Sequence, residues 1–213
     1  GIEILMPELK NIDLAIVGEP TQMDMAIAEK GLMVMDCVAY GKTGHAARNE
    51  GINAIYEALQ DIEKIRKYRF SKLSDMLGEV KMTVTQIEAG HQHNVVPDRC
   101  KFVVDVRSNE SYSNREIHEI LEKELNSKLS PRSYRLNSSG IDPRHPLVEA
   151  ARNMGIKLFG SPTMSDQALM PFPSVKMGPG DSARSHAPDE YIELEEIEQA
   201  VNVYYQLLKN TYN

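Results

Sequence analysis

"GLMVMDCVAYG", residues 31–41, decides the fold. Ahead of it, "DLAIVGEP" (13–20) is a short continuous apolar run stopped by Gly-Glu-Pro, the pattern of a buried strand with Glu19 at its carboxyl end. In open α/β sheets that end is where ligands bind. From residue 31 the texture turns to alternation, with Leu32, Val34 and Val38 set against Met33, Cys37 and Ala39, which suits a sheet covered on at least one face. "NEGINAIYEALQDIEKIRKY" (49–68) follows with Ile52, Ile55, Leu59, Ile62 and Ile65 at helical spacing.

Working outward, "EVKMTVTQIEAG" (79–90) and "RCKFVVDVRS" (99–108) are alternating strands joined through "HQHNVVPD" (91–98). "SNREIHEILEKEL" (113–125) opens with Ser113 and Glu116 three apart, a capping-box pattern, and carries Ile117, Leu121 and Leu125 on one stripe. "RSYRL" (132–136) supplies a last strand. The order β-α-β-β-α-β from 31 to about 140 is that of a ferredoxin-like unit, a four-stranded sheet with two helices on one face. Beyond it, a helix over 147–154, strands over 156–159 and 174–177, and a final helix with Leu194, Ile197, Val201, Tyr204 and Leu208 as its stripe return to α/β texture. The expected fold is an α/β domain (1–30 and 142–213) interrupted by an inserted α+β ferredoxin-like domain (31–141).

Composition bounds the function. With 24 Lys+Arg against 31 Asp+Glu, a net charge of −7 and no long basic run, nucleic acid and anionic membrane are excluded as partners of choice. No apolar run reaches transmembrane length and no signal peptide is visible. Cys37 and Cys100, far apart and inside strand-like runs, read as buried free thiols of a reducing, cytoplasmic compartment.

The titratable residues admit bland and sharp readings. Glu19 is a turn residue or a metal ligand, and His186, in "GPGDSARSHAPDEYI" (178–192), is a solvated loop histidine or another. His45 in "GKTGHAARN" is a turn histidine or an oxyanion donor presented by a Gly-rich bend. Arg107 in "DVRS" suits a carboxylate or an exposed ion pair equally. His91 and His93 form an H-x-H without a supporting carboxylate or Cys, and read as a loop pair rather than a zinc site. His118 reads as solvated on a charged helix, and His145 as a turn residue at a helix start.

Five pieces in order, "VGEPT", "GKTGHAARNEGINAI", "NVVPDRCKFVVDVR", "MSDQALM" and "GPGDSARSHAPDEYI", resemble the M20 family of zinc aminoacylases and peptidases, nearest to acetylornithine deacetylase and succinyl-diaminopimelate desuccinylase. The resemblance implies a catalytic domain with two zinc ions and a ferredoxin-like lid through which the enzyme forms a homodimer. It implies that Glu19 ligates one zinc and His186 the other, and that His45 reaches into the neighbouring subunit to hold the oxyanion. Asn94 and Arg107 would hold the substrate carboxylate, and Ser165 and Asp166 would lie on the substrate-side loop. The implied reaction is hydrolysis of an N-acyl amino acid in arginine biosynthesis, with succinyl-diaminopimelate desuccinylase or a dipeptidase or carboxypeptidase as the alternative activities, and cobalt suits the same ligands as zinc.

The H-x-D motif, bridging Asp and E-E pair of the family pattern are not among residues 1–18, so the expectation is a C-terminal portion of a longer enzyme, lacking its general base and inactive alone. A non-catalytic dimerisation module is the rival from another class. An H-x-D and an E-E in the reading frame upstream would favour the enzyme, and a start codon at Gly1 the module.

Overall fold

The structure, a computed structural model, describes residues 1–212. Along the chain lie α1 (Ile2–Leu5), β1 (Ala15–Val17), β2 (Met25–Glu29), β3 (Met33–Tyr40), β4 (Gly44–His45), α2 (Ala54–Lys67), β5 (Lys81–Ala89), β6 (Val95–Val96), β7 (Arg99–Arg107) and α3 (Asn114–Glu124). Then come β8 (Lys128–Pro131), β9 (Ser139–Gly140), α4 (Pro146–Asn153), β10 (Leu158–Ser161), β11 (Ser174–Lys176) and α5 (Leu194–Tyr212). The chain divides into two compact units, residues 1–30 with 138–213, and residues 31–137. The second crossing falls at 137/138 because Ser139 and Gly140 pair with Glu29 and Ala28 of β2 and so belong with the first unit.

In the unit of residues 31–137 the sheet runs β5-β7-β3-β8, every pair antiparallel. The period-2 pattern puts Met33, Met35, Cys37 and Ala39 of β3 beside Phe102, Val104 and Val106 of β7, and α2 and α3 cover this face with Ala58, Ile65, Ile117 and Leu121. The capping box starts α3: the Ser113 hydroxyl accepts from the Glu116 N–H, and the Glu116 carboxylate accepts from the Ser113 N–H at 2.7 Å. Cys37 and Cys100 are buried and unbridged, and burial, helped by the charges of Asp36 and Asp61, pushes the Cys37 thiol up to about 12.

Three details depart from the sequence reading. On α2 the buried positions are Ala54, Ala58, Asp61 and Ile65, while Ile52 just before the helix and Leu59 on it are exposed, because the alanines let the helix lie close on the sheet. The last strand is Lys128–Pro131, and residues 132–136 instead cross α3. There Tyr134 bonds His118 Nδ1 at 2.9 Å, and the Asn114 amide donates to the carbonyls of Leu32 and Leu136, so His118 is buried rather than solvated. On α5, Ala200 and Leu207 are buried and Val203 and Tyr204 pack against the core, while Leu194, Ile197, Val201 and Leu208 are exposed.

In the other unit β1 and β11 run parallel, β11 pairs antiparallel with β2, and β2 lies parallel to β10. Met25, Ile27, Leu147, Val148, Val175, Met177 and Leu207 form its core. Among the described residues no helix is long and apolar enough to cross a membrane.

Candidate metal and substrate site

Glu19 stands just past β1, and the parallel pairing of β1 with β11 brings the carboxyl ends of both strands together. The turn that carries it is tied to the segment after β11 by backbone bonds: Thr21 and Met23 N–H to the Gly178 carbonyl, both at 3.0 Å, and Gln22 N–H to Gly180 at 2.8 Å. Gly178 is required here, since a Cβ would fall 2.7 Å from the Glu19 carbonyl oxygen. From this junction the chain runs through a short 3₁₀ turn, capped by Asp181 on the Ala183 N–H, to His186. His186 has φ +60°, a left-handed conformation that costs a non-glycine residue roughly 1–2 kcal/mol. Glu190 holds it by accepting the His186 N–H at 3.0 Å, and Arg184, paired with Glu196 at 2.7 Å and stacked over Tyr191, fixes the loop from the other side. The Glu193 N–H, and after it the Arg184 guanidinium, hold the Glu196 carboxyl below its usual range.

Glu19 and His186 line one cavity of about 630 Å³, together with Thr21, Ser161, Thr163 and Lys176. Carboxylate and imidazole suit a divalent metal in kind. In number they fall short, because among the described residues no group of three or more His, Cys, Asp or Glu side chains is arranged to hold a metal ion. Ser165 does not line this cavity: its N–H and hydroxyl both donate to the buried carboxylate of Glu29, at 2.9 and 2.8 Å. Asp166 is exposed and begins a 3₁₀ turn capped by Ser165.

The remaining residues lie in the other unit. His45 and Asn94 come together on a two-stranded ribbon: β4 pairs with β6, and the Ala46 N–H donates to the Asn94 carbonyl at 3.0 Å. His45 is exposed, and its Nδ1 accepts the Ala47 N–H at 3.1 Å. In the neutral imidazole the proton therefore sits on Nε2, which makes the outer nitrogen a donor. Arg107 is apart from them, at the opposite end of β7 from Arg99, roughly 26 Å along the strand at ~3.3 Å per residue. Its guanidinium makes a two-point bond to Asp105 on its own strand, at 2.7 and 3.0 Å. His91 lines a cavity of about 530 Å³ under the ribbon, with Glu88, Asp98 and Arg99.

The loop that presents His45 closes through reciprocal Lys42–Ile52 backbone bonds at 2.8 Å. Gly51 sits at φ +84°, where a Cβ would meet the Lys42 carbonyl oxygen at 2.5 Å. Gly51→Ala is expected to cost about 1–3 kcal/mol and to displace His45. Chemical denaturation of the variant checks this, and an unchanged midpoint would contradict the packing described.

Comparison with known proteins decides the family. The peptidase dimerisation domain of M20 enzymes matches residues 27–133. The chain belongs to the M20 family. Among M20-type relatives, the acetylornithine deacetylase of Myxococcus xanthus is 28% identical over 207 residues, covering 86% of this chain and 53% of that protein. Aminopeptidase PepT from Bacillus cereus superposes with a TM-score of 0.73 at 17% identity, over 94% of this chain and 58% of that one. A dinuclear metal-binding M20 peptidase from Bacillus subtilis gives 0.66 at 18%, over 98% and 58%. The chain thus spans little more than half the length of the M20 proteins it matches.

Sequence reasoning passed over Glu29 and Lys176, both buried, the second in the cavity lining and the first paired with it. The available signal was a charge inside each of two short apolar runs, "MAIAEKG" and "PSVKMG".

Proposed function

We propose that this chain forms part of a metal-dependent amidohydrolase that removes the acyl group from an N-acyl amino acid, of the acetylornithine deacetylase type, with two zinc ions in the complete site. One observation carries the reading: Glu19 and His186, distant in sequence, line the same cavity in a chain of this family. Each would supply one ligand to a dinuclear centre, and the remaining ligands and the general base would come from residues outside these 213. When bound, such a pair of metals lowers the pKa of a bound water towards ~7 and polarises the scissile carbonyl.

The other unit fits a ferredoxin-like lid that dimerises. Its element order and β5-β7-β3-β8 sheet support that description. The outer edge of β5 has no strand partner among the described residues, and Ile52 just before α2 and Tyr56 and Leu59 on it are exposed, a combination suited to a second copy. His45 is then the donor to the oxyanion in the neighbouring subunit, and Asn94, on the same ribbon, binds the substrate's carboxylate end. Arg107 is the member this geometry favours least, since a substrate would compete with Asp105 for it. Ser165 acts through the loop it anchors and Asp166 through its exposed carboxylate. A purely dimerising module would have no use for the cavity of the first unit, which weighs against that rival.

The test is hydrolysis of N-acetylornithine, N-succinyl-diaminopimelate and dipeptides by the enzyme containing this chain, with and without a chelator. Preference for the acetylated substrate, lost on chelation and restored by zinc, is expected. Hydrolysis that persists without metal, or none with metal loaded, contradicts the reading.

A further inference from the structure

The cavity that holds Glu19 and His186 is braced from below by two buried charges. Glu29 and Lys176 are 0% and 4% exposed, and they face each other at 3.4 Å. Taking two ions out of water is costly, and their attraction often fails to exceed that cost, so stability alone is a weak reason for the pair. Their partners indicate a different role. Lys176 Nζ donates to the Ser161 hydroxyl at 2.7 Å, the Thr163 carbonyl at 3.0 Å and the Thr163 hydroxyl at 3.2 Å. Glu29 accepts from the Ser165 N–H and hydroxyl, and from the Ser139 hydroxyl at 3.1 Å.

All but one of these partners belong to residues 161–165, the segment between the end of β10 and the 3₁₀ turn at Asp166. Ser161, Pro162, Thr163 and Met164 of this segment form a wall of the cavity. Past Ser161 it has no strand partner among the described residues, so the two charges stand in for a ladder. The ammonium has three N–H groups, and the Ser161 hydroxyl, the Thr163 carbonyl and the Thr163 hydroxyl accept them, with the Glu29 charge alongside, which leaves none for a ligand.

We propose that Glu29 and Lys176 are positioning residues. They set the path of residues 161–165, and so the shape of the wall against which the acyl amino acid lies, and control substrate affinity without touching the reacting atoms. This rests on the reading of the cavity as the substrate site.

Glu29→Gln and Lys176→Met in the enzyme containing this chain test it, by residue-resolved hydrogen exchange and by kinetics. The expected result is about ten- to hundredfold faster exchange at Ser165 and its neighbours within 161–166, with β1 and β11 unchanged. KM should rise about tenfold while kcat and bound metal stay the same. Unchanged exchange in 161–166 overturns the proposal, as does equal acceleration throughout residues 1–30 and 138–212 in both variants. A fall in kcat with KM unchanged overturns it too, because the pair would then act on the reacting atoms. If exchange accelerates locally while the unsubstituted enzyme hydrolyses no N-acyl amino acid, the failure lies with the substrate-site reading, and the affinity part of the proposal falls with it.

Discussion

Replacing His45 with alanine is expected to lower kcat by about 10²–10³-fold while the bound metal is unchanged. The expectation follows from the ring's hydrogen bonding. The Ala47 N–H occupies Nδ1, so the neutral ring presents Nε2–H outwards from an exposed position. A donor held in place by backbone strengthens its bond as negative charge develops on the carbonyl oxygen, and it needs no reorganisation at that moment. It should contribute little to the ground state, so KM should move less than kcat. Single-turnover kinetics with metal analysis checks this. Loss of metal in the variant would place His45 among the ligands and break the assignment, and an unchanged kcat would remove it from the reaction altogether.

Asp61→Ala is expected to have the largest effect on stability, about 3–5 kcal/mol. Asp61 is 1% exposed on α2, yet it joins that helix to the turn after α3: it accepts from the Asn126 N–H at 3.0 Å, and from the Ser127 N–H and hydroxyl, both at 2.7 Å. Lys64 adds its charge at 3.4 Å. Removing the carboxylate strands three buried or half-buried donors at once. Burial pushes the Asp61 pKa up, but the Ser127 and Asn126 hydrogen bonds and the Lys64 charge outweigh it, and the net shift is downward. A folded pKa below the unfolded value of ~3.9 gives stability that is fully present above that value and is lost as pH falls through the lower, folded one. Asp61→Asn should therefore cost most near neutral pH, and the gap to the unsubstituted protein should close in strong acid. Urea unfolding of both proteins across that range measures it, and a gap that widens on acidification would contradict the sign.

The sheet of residues 31–137 is legible in the sequence because its central strands β3 and β7 each bury every second residue, and alternation records that asymmetry directly. The covering helix is less legible. Of the more hydrophobic stripe, Ile52, Ile55, Leu59, Ile62 and Ile65, only Ile65 is buried, because close approach to the sheet selects Ala54 and Ala58 beside it, and hydrophobicity alone does not measure closeness. On α5 one of the two buried residues is again an alanine, Ala200, which a hydrophobic stripe does not mark. His118 is misread because its burial depends on Tyr134, which reaches it from a segment read as a strand.

For the site, only the order of five motifs links Glu19 to His186. The physical link is the close passage of Gly178 against Glu19, which a glycine in a loop does not announce. Glu29 and Lys176 are legible only as anomalies, two charges in apolar strands whose pairing needs the fold to be seen.

The central claim, that this chain contributes two ligands to a metal centre completed by other residues, is tested most directly by metal stoichiometry. The 213-residue chain, equilibrated with zinc and desalted, should retain well below one zinc per chain. Glu19→Ala or His186→Ala should remove what remains, since a stable zinc site takes three or four protein ligands. Two zinc ions held tightly by each chain would contradict the account, for a complete centre would then lie within these residues.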